Sequence, residues 1–82
     1  MNWLHHHKQA EQYMDLATCA EDASLRPGLW VCAAEAEERA LACVLPGHKR
    51  TWEITRTSAA ACWYHAGRED ESQRVFGLTP NV

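Results

Sequence analysis

Three consecutive histidines, His5 to His7, and four scattered cysteines are the side chains of this 82-residue chain best suited to metal or redox chemistry. Neighbouring residues on an α-helix point about 100° apart, and the residue four positions after His5 is Gln9, so the cluster offers no two-ligand helix face. We expect no metal ion and no cofactor. A small helical metal or redox protein that uses these histidines with His48, His65 and the cysteines remains an alternative.

Cys62 and His65 lie three residues apart on one predicted helix, a spacing at which a thiol and an imidazole can touch. Such a pair would serve as nucleophile and base. Cys62 lies deep in the helix, however, among small apolar residues that raise the pKa of a thiol. The acidic run from Glu69 to Glu71 is explained by the positive end of a helix dipole. We therefore expect a protein that is not an enzyme.

The composition is that of a single folded domain spanning residues 1–82, with 46% apolar and 23% charged residues and a net charge of −3. Basic side chains cluster only at His48 to Arg50, too few for nucleic-acid binding. No apolar run is long enough for a membrane span, and no signal peptide is recognisable. The four cysteines form no C-x-x-C pair, and we expect reduced, buried side chains in a cytoplasmic protein, with two disulfides as the alternative.

Helical periodicity dominates the chain and predicts an all-α fold of four helices. The first runs from Trp3, after the N-cap Asn2, to Ser24, and the second from Pro27 to Leu45, before Pro46-Gly47. After a loop at His48 to Arg50, Thr51 caps a third helix ending at Gly67, and the fourth runs from Glu69 to Gly77. These helices form two antiparallel hairpins, at about residues 3–45 and 51–77, with a frayed tail at 78–82.

Apolar stripes on the four helices predict the core, and Trp30, Trp52 and Trp63 are expected to be packing residues. On the third helix the inward stripe is Trp52, Thr55, Ala59, Cys62, Trp63 and Ala66. On the first helix it is Trp3, Ala10, Tyr13, Met14, Ala17 and Ala20, widened by Leu16, Cys19 and Ala23. On the second it is Leu29, Ala33, Ala36, Ala40 and Val44 beside Trp30, Ala34, Leu41 and Leu45, and on the fourth Val75 and Phe76.

The second hairpin resembles a tetratricopeptide repeat. The resemblance covers about Glu53 to Phe76. On the first helix of the repeat it consists of small residues at the helix crossing and an aromatic residue near the helix end. A glycine follows at the turn, and the second helix carries a small residue and then an aromatic one. These are Ala59-Ala60, Trp63, Gly67, Ser72 and Phe76.

Three positions depart from the family pattern. Arg56 stands where a large apolar residue is expected, Ser72 replaces the usual alanine, and Gly77 ends the second helix early. A small four-helix bundle therefore remains the rival architecture.

The resemblance implies ligand-facing positions on the third helix, at Ile54, Thr57, Ala61, Tyr64 and His65. Three of these residues, Ile54, Ala61 and Tyr64, also form a second apolar stripe that the predicted core does not use. Unused apolar surface is typical of binding sites. The alternative is that this stripe packs against the first hairpin within the chain.

We therefore expect a small, non-catalytic protein-interaction module, an adaptor or a stoichiometric inhibitor of a larger protein. Its partner would be a peptide or helix of another protein, and neither nucleic acid nor a membrane is expected. A homodimer with a purely structural role is a further alternative, because two hairpins leave apolar faces to be covered.

Overall fold

The computed structural model describes residues 2–80, and helices make up most of this range. A short 3₁₀ helix at Ala23–Leu25 precedes the second α-helix, and the described residues contain no strand. The all-α fold predicted from periodicity is confirmed. The helices are α1 (Trp3–Cys19), α2 (Arg26–Ala42), α3 (Lys49–His65) and α4 (Glu69–Phe76).

Each helix packs chiefly on its neighbour in sequence: α1 on α2, α2 on α3, and α3 on α4. Short connections make successive helices antiparallel. The Cα atoms extend over 42 × 25 × 16 Å, so the molecule is elongated. Because α2 and α3 pack together, their contact joins the two predicted hairpins.

The core lies where α2, α3 and α4 meet, and alanines dominate it. Alanine side chains let two helix backbones approach closely, whereas larger side chains hold them apart. Four half-buried residues, Tyr13, Met14, Trp30 and Val31, cover this core from α1 and α2. Its buried members are Ala33, Ala34, Ala59, Ala60, Cys62, Trp63 and Val75.

Several predicted helix boundaries are confirmed. The side chain of Asn2 accepts a hydrogen bond from the His5 N–H and caps α1. Gly67 has a φ of +77°, the left-handed conformation that ends α3. α4 begins at Glu69 with three acidic residues in its first turn, where they complement the positive end of the helix dipole.

The predicted extension of α1 to Ser24 is wrong, because the helix ends at Cys19. Ala20 is extended, and the Arg26 guanidinium donates to its carbonyl oxygen. The carboxylate of Asp22 then accepts bonds from the N–H and hydroxyl of Ser24 and starts the 3₁₀ helix. Short polar side chains often compete in this way with helix hydrogen bonds. Leu16, Cys19 and Ala23, predicted to widen the core face, are exposed.

The α2–α3 connection also differs from the prediction. α2 ends at Ala42 rather than Leu45, since Pro46 disfavours helical conformation in the residue before it. α3 begins at Lys49, so Lys49 and Arg50 are helical instead of forming a loop. Thr51 therefore lies within the first turn of α3 and is not its cap, and no side chain caps this helix.

The departures from the tetratricopeptide pattern have specific structural roles. The Arg56 guanidinium lies over the rings of Trp52 and Phe76, 5.4 and 5.9 Å from their centroids. The Ser72 hydroxyl is buried and donates to the Ala60 carbonyl at 2.9 Å. Phe76, predicted to be buried, is half exposed, so Val75 alone fills the core at the end of α4.

Two glycine substitutions should change stability in opposite directions. Gly67→Ala forces a Cβ into the left-handed conformation, and we expect a loss of about 1–2 kcal/mol. Gly28→Ala, inside α2 with open space around the added Cβ, should stabilise the protein by about 0.5–1 kcal/mol. Urea unfolding of both variants tests this. Equal effects of the two substitutions would contradict the left-handed turn.

Candidate protein-interaction face

The outer face of α3 is the candidate site. One side of this helix is buried, through Trp52, Thr55 and Trp63 among others, so the helix is fixed in orientation. On the opposite side all five predicted site residues are exposed, and Ile54 and Tyr64 are exposed by 58% and 61%. We call this surface the α3 outer face: Ile54, Thr57, Ala61, Tyr64 and His65.

The first hairpin does not cover the α3 outer face, so the alternative that this stripe is intramolecular core is wrong. It does touch one end of the stripe. The His65 ring lies 4.6 Å from the ring of Trp30, with 31° between the planes, and Tyr64 meets His65 edge-on at 6.2 Å. Trp30, predicted to be core, is only half-buried and extends the face with a third aromatic ring.

None of the five residues of the α3 outer face is acidic, although exposed Glu53 lies beside Ile54. Ile54 and Tyr64 are ten residues apart, about 15 Å along the helix, with the small residues Thr57 and Ala61 between them. Two apolar anchors separated by a flat stretch match the side chains on one face of an amphipathic helix.

Glu37 is the largest fully buried side chain in the described structure, and sequence reasoning missed it. One carboxylate oxygen lies 2.9 Å from Nδ1 of His7 on α1, and the other has no hydrogen-bond partner among the described residues. The sequence did indicate that Glu37 would be buried, since it lies one turn from Ala33 and from Leu41 on the buried face of α2. His7 and Glu37 thus join α1 to α2 through a buried polar pair.

Tryptophan N–H groups form two further polar links between helices. Trp3 Nε1 donates to the Thr55 hydroxyl at 2.9 Å, and its ring stacks on His7 at 4.7 Å. Trp63 Nε1 donates to Glu38 at 2.7 Å, and Arg74 binds the same carboxylate oxygen, also at 2.7 Å. These tryptophans therefore fix the positions of the helices as well as filling volume.

The three histidines of α1 have different environments. His5 is exposed, while burial lowers the pKa of half-buried His6, with the charges of His5 and Arg39 adding to the shift. His7 binds Glu37. Within residues 2–80, no three His, Cys, Asp or Glu side chains are placed to hold a metal ion.

The Cys62 and His65 pair does not have the environment of a nucleophile and its base. Burial, aided by the charge of Glu37, raises the pKa of the Cys62 thiol to about 12. The His65 ring stacks on Trp30 instead. Cys19, predicted to be buried, carries an exposed free thiol because α1 ends there.

No helix in the described part of the chain is both long and apolar enough to cross a membrane. Comparisons with protein-family models, with curated proteins and with solved structures give no match to this chain.

Removing His7 should destabilise the protein. His7→Ala leaves the buried Glu37 carboxylate without its partner, and we expect a loss of about 1–3 kcal/mol in chemical denaturation at pH 7. The matched control is His5→Ala, an exposed histidine on the same helix, which should change stability by less than about 0.5 kcal/mol. Adding Glu37→Leu to His7→Ala should recover part of the loss, because no buried charge then remains. A further loss in that double variant would contradict this account.

The cysteines should differ sharply in reactivity. Burial raises the pKa of the Cys62 thiol to about 12, so very little of it is thiolate at pH 8, and the side chain is also out of reach of reagents. Iodoacetamide should therefore modify exposed Cys19 in the native protein and reach Cys62 only after unfolding, as read by peptide mass spectrometry. Equal labelling of both thiols in native protein would disprove the burial of Cys62.

Proposed function

We propose that the protein is a small non-catalytic interaction module whose α3 outer face binds a helix of another protein. The observation that carries this proposal is the exposure of Ile54 and Tyr64 on a helix whose opposite side is buried. Exposed apolar and aromatic side chains on a fixed element are the usual anchors of protein interfaces.

The fixed position of α3 favours binding. α2 and α4 pack on this helix, and its side chains contact both neighbours. A site that is already ordered loses little conformational entropy when a partner docks. The α3 outer face therefore acts as a preformed surface rather than a segment that folds on binding.

The tetratricopeptide-like interpretation of residues 53–76 belongs to the same proposal. The left-handed Gly67, the buried Ala59-Ala60 pair and the packing of each helix on its sequence neighbour support it. An adaptor or a stoichiometric inhibitor would need no more than this surface. The exposed free thiol of Cys19 is compatible with a reducing compartment, and we place the protein in the cytoplasm.

The experiment is an affinity capture from lysate of the native host with three immobilised proteins: wild type, the double variant Ile54→Asp with Tyr64→Ala, and Leu16→Asp. Leu16 is the matched control, because it is an exposed apolar residue on α1, at 56%, outside the α3 outer face. Ile54 and Tyr64 are the two anchors, and losing each should cost about 1 kcal/mol or more of binding free energy. The double variant should therefore bind a captured protein at least 30-fold more weakly than wild type.

Each captured protein is then purified and titrated by calorimetry against the three forms, whose folding is checked by circular dichroism. A partner that binds wild type and Leu16→Asp alike, but the double variant at least 30-fold more weakly, supports the proposal. Unchanged affinity of a folded double variant refutes it.

A further inference from the structure

A groove lies at the end of the molecule where α2 stops and α3 begins. Its volume is about 490 Å³, and the C-terminal segment after α4 forms one of its walls. Leu45, on its edge, is 68% exposed and is the most exposed of the large apolar side chains described. The apolar lining residues are Leu41, Val44, Leu45, Pro46, Trp52 and Leu78.

Positive charge lies on the side of this groove where α3 begins. His48 and Lys49 line it, and Arg50 follows in the first turn of α3. Neither Lys49 nor Arg50 has an ion pair within residues 2–80. Its acidic lining residue, Glu38, is already bound by Arg74. The uncapped start of α3 adds the positive end of a helix dipole. The groove therefore favours an apolar side chain accompanied by negative charge.

The opposite end of the same chain carries that combination. Leu25 closes the 3₁₀ helix immediately before α2 and is 57% exposed. Exposed Glu21 and Asp22 precede it, and hydrogen bonding to Ser24 lowers the pKa of Asp22, which keeps its carboxylate charged. Since α2 and α4 run in the same direction, the acidic first turn of α4 lies at this end too. We call Leu25 with Glu21 and Asp22 the acidic knob.

The acidic knob and the groove cannot meet within one molecule. The knob precedes α2 and the groove follows it, and the 17 residues of α2 span about 25 Å. Arg26 follows Leu25 and bonds the Ala20 carbonyl, while Arg68 pairs with Asp70, so the two carboxylates of the knob outweigh the one nearby guanidinium and its net charge stays negative. Contact between the two surfaces therefore requires two molecules.

We propose that a second copy of this chain fills the groove: Leu25 of one molecule packs beside Leu45 of the next, with Glu21 and Asp22 facing Lys49 and Arg50. The contact joins two different surfaces, so it is head-to-tail. One end molecule of the assembly keeps a free knob and the other keeps a free groove, so further copies can add. This inference is independent of the proposed function, because the groove and the acidic knob use none of the five residues of the α3 outer face.

The expected association is weak and reversible. The end of the molecule measures 25 by 16 Å between Cα extremes. The area of this cross-section is about half of the ~800 Å² that each partner buries in a standard interface. We expect a dissociation constant of roughly 10⁻⁵ to 10⁻³ M and short chains of molecules at high concentration. The charge pairs should make association at least several-fold weaker in 500 mM than in 50 mM salt.

Sedimentation velocity of wild type between about 20 µM and 1 mM is the first measurement. The weight-average mass should rise with concentration and exceed that of a dimer. Leu25→Asp removes the knob, and Leu45→Asp with Lys49→Glu removes the groove; each folded variant should stay monomeric at 1 mM. Leu16→Asp, an equally exposed leucine elsewhere, should associate like wild type. If Leu45→Asp perturbs the circular dichroism spectrum, Lys49→Glu alone replaces it, with an expected tenfold weaker association.

Mixing the knob variant with the groove variant gives the decisive test. Each retains the surface that the other lacks, so an equimolar mixture should form dimers and nothing larger. Wild type that is monomeric at 1 mM overturns the proposal. So does a mixture of folded variants that does not associate, or a Leu16→Asp variant that loses association as fully as Leu25→Asp. The Ile54→Asp, Tyr64→Ala variant tests partner binding and keeps both the knob and the groove. Its result therefore does not depend on self-association, and either proposal can be refuted without refuting the other.

Discussion

The close contact between α2 and α3 determines the arrangement of the whole molecule. Alanines from both helices meet there with no exposed surface, and such small side chains allow the backbones to approach. Close backbones bring long side chains within reach across the contact, as with Trp63 and Glu38. α4 then covers the same alanines, and Ser72 bonds the backbone of Ala60. α3 is thereby held from two sides, which fixes the orientation of its outer face.

Glu37 adds specificity to a core that alanines alone would leave loosely defined. A buried carboxylate is strongly unfavourable without a partner, so α1 must place His7 opposite it. Alanine faces can slide past one another with little change in packing, whereas this hydrogen bond exists in one register only. The Trp3 bond to Thr55 sets the same register from the start of α1. The polar contacts thus define an alignment that apolar packing does not.

Periodicity predicted the helices and the inward stripe of α3, because buried positions recur every three to four residues. Helix ends were predicted less well, since they depend on particular bonds such as Asp22 to Ser24. The role of Glu37 could not be predicted, because its partner lies 30 residues away. The residues of the α3 outer face were proposed from the sequence, but the sequence left their exposure undecided, since an apolar stripe has the same pattern whether a neighbouring helix covers it or not. The contact between Trp30 and His65 at the end of this face was not predicted, because Trp30 was assigned to the core.

The attachment of α1 makes local stability uneven along the chain. Only Ala10 and Ala17 of this helix are fully buried, and α1 packs chiefly on α2, whereas α2 and α3 share the core with α4. Detachment of α1 uncovers the part of the core that Tyr13 and Met14 cover, but it leaves the packing among α2, α3 and α4 in place and lets water solvate Glu37. The remaining three helices then constitute the slowest-exchanging cooperative unit.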